Sequence, residues 1–211
     1  RRVLFRSQEE PLRFQTRKQV GLLGGNFNPV HLAHLVMADQ VQNQLGLDKV
    51  YLMPTYLPPH VDEKKTISSE HRLAMLELAV SDNPCLDIEP IELIRKGKSY
   101  TYDTMKALKE ANPDTDYYFI IGGDMVEYLP KWHRIDELLH LVQFVGIRRP
   151  NYPTESTYPI IWVDVPQMAI SSTLIRQKVK SGCSTRYLLP ENVINYIQEK
   201  GLYQDELDNK L

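Results

Sequence analysis

From residue 20 onward the chain alternates short apolar runs with longer stretches of helical spacing, and several of the runs end at glycine or proline. Apolar runs at 20–23, 49–53, 86–89, 117–121, 142–147 and 160–163 read as strands buried on both faces. The stretches at 30–44, 70–80, 102–111, 171–180 and 191–200 read as helices. Gly46 suits the C-terminal cap of the first helix, Ser69 the N-terminal cap of the second, Asp103 that of the third, and Pro190 and Gly201 bracket the last. Strands that alternate with helices must lie parallel, because each crossover carries the chain back across a face of the sheet. The expected fold is therefore α/β: a doubly wound, mainly parallel sheet with helices at the C-terminal end. Ligands of such sheets gather at the carboxyl ends of the strands, near the point where strand order reverses.

Composition narrows the class further. The 211 residues, 42% hydrophobic, suit one domain and need no disulfide or metal staple. No run approaches the ~18 apolar residues of a membrane span, and the charged opening RRVLFRSQEEPLRFQTRK is not a secretory signal. Cys85 and Cys183 have no partner motif, so neither a disulfide framework nor a thiolate zinc site is expected. These features point to a cytoplasmic protein with no membrane partner. The opening stretch carries six basic residues against two acidic ones, a net of +4, which leaves the rest of the chain at −6 of the total −2. Residues 1–17 read as a basic extension, disordered or left from expression, ahead of a single domain at 18–211. The body has neither an arginine-rich face nor a glycine-aromatic signature, so nucleic acid is not an expected partner.

The chemistry concentrates at two places. The first run leads into Gly24-Gly25-Asn26-Phe27-Asn28-Pro29-Val30-His31-Leu32-Ala33-His34. Paired glycines at a strand end let the backbone approach a phosphate, and the helix start beyond them offers free N–H groups. This is neither GxGxxG nor GxxxxGK[ST]. His31 and His34 share one face of that helix start and serve as imidazole donors to a phosphoryl group; a zinc site would want a third ligand. The second place is Ile170-Ser171-Ser172-Thr173-Leu174-Ile175-Arg176, where two serines open a helix and Arg176 lies one turn on from Ser172. Between them, the proline-rich segment PTYLPPHVDEKKTI at 54–67 is too long for a simple turn and reads as a functional loop.

GGNFNPVHLAH resembles the GGxFxPxHxGH signature of the nucleotidyltransferase α/β phosphodiesterase superfamily, and ISSTLIR its second signature, ISSTxIR. With Pro58-Pro59-His60, SYTYDT at 99–104, IGGDM at 121–125 and LPKW at 129–132, the chain resembles the bacterial nicotinate mononucleotide adenylyltransferases over roughly residues 18–203. It departs from the pattern at Asn28 (usually Asp), Ala33 (usually Gly), Val61 (usually basic) and His133 (often Tyr). The resemblance implies a Rossmann-like nucleotidyltransferase fold. It also implies adenylyl transfer from ATP to nicotinate mononucleotide, with magnesium held by phosphates and water rather than by protein side chains.

The residues implied for catalysis are His31, His34 and Arg176. Gly24, Gly25, Asn26, Phe27, His34, Gly122, Asp124, Ile170, Ser171, Ser172 and Arg176 are implied for ATP. For the acceptor they are Asn26, His60, Thr101, Trp132 and His133, with Trp132 stacked on the pyridine ring. Asp124 would take ribose hydroxyls, hold a metal-bound water or cap a helix, and Lys64 or Lys65 would stand in for the basic residue missing at Val61. His71 and Arg72 belong to a helix start below the site, and His140 is structural. Homodimer formation is left open. The competing readings are transfer to nicotinamide mononucleotide, a nucleotide-binding regulator of the same fold, and a short synthetase-like domain. The last fails for want of a tRNA-binding region.

Overall fold

A computed structural model describes residues 17–57, 66–148 and 155–204. The loop residues His60, Val61, Lys64 and Lys65 lie outside these, as do residues 1–16 of the basic extension. Arg17, assigned to that extension, is tied to the body by a 2.8 Å ion pair with Asp116.

The strands are β1 (Lys18–Gly25), β2 (Lys49–Pro54), β3 (Leu86–Ile88), β4 (Thr115–Gly122), β5 (Val142–Ile147) and β6 (Ile160–Val163), all parallel, in the order β3-β2-β1-β4-β5-β6. Strand order reverses between β1 and β4. Period-two alternation sorts their side chains between two cores. Val20 and Leu22 of β1, Tyr117, Phe119 and Ile121 of β4, and Phe144 of β5 face one side. Leu23, Ile120, Val145 and Ile147 face the other.

The longer helices are α1 (Leu32–Leu45), α2 (Ser69–Val80), α4 (Thr101–Ala111), α7 (Ser172–Lys180) and α8 (Glu191–Glu199). Buried residues of α1, α2, α7 and α8, such as Val41, Met75, Ile175 and Val193, fill the second core, and Met105 and Leu108 of α4 the first. Three short helices, α3 (Ile91–Arg95), α5 (Gly123–Val126) and α6 (Ile135–Leu138), are additions to the expected set. Among the described residues no helix is long and apolar enough to cross a membrane.

Several sequence-based boundaries need correction. The glycine pair does not follow β1 but ends it, Gly24 pairing with Met53 and Gly25 with Pro54. Ser68, not Ser69, caps α2, its hydroxyl accepting from the His71 N–H at 3.4 Å. Asp103 caps nothing: Tyr100 is the N-cap of α4, and Asp103 lies in the first turn. Gly46 does close α1, in the left-handed conformation with φ 62°.

One glycine limits the packing of the sheet. A Cβ on Gly21 would lie 2.6 Å from Val50 Cγ2 and 3.1 Å from Leu47 Cδ1. Gly21→Val is therefore expected to destabilise the fold by about 2–3 kcal/mol through overpacking. Urea unfolding checks this, and an unchanged midpoint would show that the neighbours yield freely.

Candidate active site

A cleft of about 420 Å³ opens at the β1/β4 switch point. Of the residues expected from sequence, it is lined by Gly24, Gly25, His34, Gly122, Thr101, Trp132 and His133. The two glycines stand at the end of β1 and Gly122 at the end of β4. Thr101 is the first residue of α4, whose leading N–H groups have no intrahelical acceptor.

His31 and His34 are stacked, with ring centroids 3.6 Å apart and planes 22° apart. His31 is the N-cap of α1 and is buried, 4% exposed. Its main-chain N–H donates to His34 Nδ1 at 3.2 Å. An imidazole nitrogen that accepts carries no proton, so neutral His34 holds its proton on Nε2, leaving that N–H as the donor available to a ligand. Phe27 packs edge-on against His34 at 4.9 Å.

Both rings stay neutral in the absence of a ligand. Burial pushes His31 down to about 4. Burial, and then the repulsion that a protonated His31 would exert, hold His34 well below the usual imidazole range. Because the folded protein binds fewer protons here than the unfolded chain, acid favours unfolding. The contribution of His31 is fully present above about pH 6.5 and is lost as pH falls towards 4; at most it is worth about 3 kcal/mol. His31→Gln is expected to flatten the loss of unfolding free energy measured by urea between pH 7 and 5. Parallel slopes for the two proteins would contradict this.

The segment 26–31 is held from several directions. Arg72 of α2 donates through Nη1 to the Asn26 carbonyl at 2.9 Å, to Asn26 Oδ1 at 3.2 Å and to the Thr55 carbonyl at 2.8 Å. Ser172 of α7 donates to the Pro29 carbonyl at 2.8 Å, and Arg176 Nη1 to the Asn28 carbonyl at 2.7 Å. The Tyr203 hydroxyl donates to Asn28 Oδ1 at 2.8 Å. Ser171 caps α7, its hydroxyl accepting from the Leu174 N–H at 3.2 Å. The two sequence signatures, more than 140 residues apart, are thus bonded to each other.

Not every expected residue reaches the cleft. Phe27 is 2% exposed and adopts φ 46°, its ring is packed under Gly25, and it does not line the cleft. Asn26, His31, Asp124, Ile170, Ser171, Ser172 and Arg176 lie outside the lining, and Ile170 packs against the core. Asp124 is not an N-cap: Gly122 holds that position, and Asp124 lies in the first turn of α5.

At the other end of the cleft, Trp132 meets Phe119 and Phe144 edge to face, each at 5.9 Å. His133 lies 4.7 Å from the Tyr100 ring. Glu92 also lines the cleft and was not anticipated; it is buried, accepts from the Thr104 hydroxyl at 2.9 Å, and burial pushes its carboxyl up. No local signal marks it, because α3 is too short to show a helical period.

A doubly wound sheet with its cleft at the strand-order reversal is a nucleotide-binding architecture. The cytidylyltransferase-like family matches residues 22–178. A relative in Enterococcus faecalis, named as a probable nicotinate-nucleotide adenylyltransferase, is 99% identical over 97% of this chain and 93% of its own length. A Streptococcus mutans relative of the same name is 62% identical over 93% of each chain. In fold, the chain is similar to the Plasmodium falciparum nicotinic acid mononucleotide adenylyltransferase solved with NaAD. The TM-score is 0.74 at 19% identity, covering 90% of this chain and all of the other. The chain belongs to the cytidylyltransferase-like family, in its nicotinate-nucleotide adenylyltransferase branch.

Proposed function

We infer that this chain transfers the adenylyl group of ATP to the 5′-phosphate of nicotinate mononucleotide, releasing pyrophosphate and forming the deamido dinucleotide. The observation that carries the reading is the placement of His34, a neutral imidazole whose proton lies on Nε2, beside the glycine end of β1, in a chain whose relatives bear that name.

A phosphate nucleophile is already anionic at neutral pH, so the reaction asks for no general base. Positioning and charge stabilisation carry it. In our reading the ATP phosphates lie along the main chain at Gly24, Gly25, Asn26 and Phe27, with His34 Nε2–H donating to the α-phosphoryl group as charge develops. Buried His31, stacked on His34 at the same helix start, places a second imidazole beside it. The start of α7 at Ser171 and Ser172 receives the outer phosphates. One Arg176 nitrogen holds Asn28 and the other Thr173, which aims the guanidinium across the loop.

Among the described residues no three His, Cys, Asp or Glu side chains group to hold a metal. Magnesium prefers phosphate oxygens and water to an all-protein cage, so in our reading the phosphates would hold it, with Asp124 receiving one of its waters. Bound magnesium would neutralise charge between the phosphates.

The acceptor ring would stack on Trp132. The uncovered N–H groups at the start of α4, around Thr101, and those near His133 favour a carboxylate over a carboxamide on the ring. We place the reaction in the cytoplasm. An acceptor screen with ATP and magnesium tests the assignment: pyrophosphate should be released with nicotinate mononucleotide and far more slowly with the nicotinamide form. No release with either would refute the reading, and preference for the amide would reassign the acceptor.

A further inference from the structure

We propose that Arg72 is a positioning residue for the transfer, holding the phosphate-binding main chain in its working orientation. The proposal rests on the adenylyl-transfer reading above. Arg72 is 3% exposed, yet among the described residues it pairs with no carboxylate. A buried guanidinium is costly unless its N–H groups are satisfied, and it stays charged at neutral pH despite the downward push of burial. Here one nitrogen, Nη1, serves three oxygens at the carboxyl ends of β1 and β2, two on Asn26 and one on Thr55. Among the described residues Nε has no partner.

The consequence follows from peptide geometry. In a planar trans peptide the C=O and the next N–H point in opposite directions. Drawing the Asn26 carbonyl towards Arg72 turns the Phe27 N–H away from it, and this is the peptide that enters the positive-φ conformation at Phe27. Without the guanidinium the 26–27 peptide is free to flip, presenting a carbonyl where a phosphate expects a donor. Arg72 also places beneath the loop a positive charge that no described carboxylate pairs. It therefore acts through Asn26 and Phe27 and touches no substrate itself. Because a single nitrogen makes all three bonds, a lysine ammonium with three donors can reproduce much of the arrangement, whereas methionine cannot.

The test compares Arg72→Met and Arg72→Lys with the parent protein. Arg72→Met is expected to lower kcat/KM for ATP by about 50-fold, in the range produced by small misplacement of catalytic groups. Arg72→Lys should recover to within about fivefold of the parent. Calorimetric binding supplies a readout that general damage to the fold would not reproduce: Arg72→Met should bind ATP more weakly but bind adenosine, which lacks phosphates, as the parent does. Equal losses for ATP and adenosine, or Arg72→Met turnover within threefold of the parent, would overturn the role. If Arg72→Met does not fold, the same comparison is made with Arg72→Lys and Arg72→Gln, where ATP affinity should fall in that order and adenosine affinity hold. The binding arm needs no acceptor, so absence of turnover in the parent protein would refute the adenylyl-transfer reading while leaving the ATP and adenosine comparison to judge Arg72.

Discussion

His34→Ala is expected to lower turnover by more than about 100-fold, the size of effect seen when one preorganised donor to a developing charge is removed. Neutral His34 keeps its Nδ1 occupied by the His31 N–H, so Nε2–H has one orientation and needs no reorganisation as the reaction proceeds. Burial keeps the ring uncharged before ATP arrives, so affinity should fall less than turnover. Steady-state kinetics of pyrophosphate release give the number. A loss below tenfold would mean that the main-chain donors carry the transition state without the imidazole.

The second large effect belongs to the other end of the cleft. Trp132→Ala should raise KM for nicotinate mononucleotide by tenfold or more, since stacking of one base on an aromatic ring is worth about 1–3 kcal/mol. KM for ATP should stay within about twofold, because the proposed ATP contacts lie on β1 and α7. Trp132 also packs edge to face on both Phe119 and Phe144, and its loss opens space beneath the cleft, so Trp132→Phe separates the two contributions. It preserves part of the stacking face and should recover much of the acceptor affinity. Equal losses for both ligands would show that the tryptophan holds the cleft together rather than reading the ring.

The sheet was legible because its strands are short apolar runs buried on both faces, and β5 and β6 occupy the residues their runs indicate. Helices of four or five residues, such as α3, α5 and α6, escaped because they complete little more than one turn and show no period. At the site, the glycine pair, His34, Thr101 and Trp132 were visible as side chains or backbone freedoms that chemistry requires, and the fold brings them to one cleft. The support for the loop was not visible. Arg72 finds its partners 17 and 46 residues away, on main-chain carbonyls and a neutral side chain, and Tyr203 reaches Asn28 across 175 residues. No charge pattern or spacing encodes a bond to a peptide oxygen. Phe27 shows the converse: its place beside the glycine pair suggests contact with ligand, yet the residue is buried, its ring lies under the glycine and it does not line the cleft.

In the proposed reaction the chain moves an adenylyl group by attack of the acceptor phosphate at the α-phosphorus of ATP. Incubation with magnesium, nicotinate mononucleotide and ATP radiolabelled at the α-phosphorus tests it directly. All transferred label should appear in the dinucleotide, with none in pyrophosphate. Label found in free AMP or ADP, or retained in ATP while the acceptor is in excess, would contradict the account.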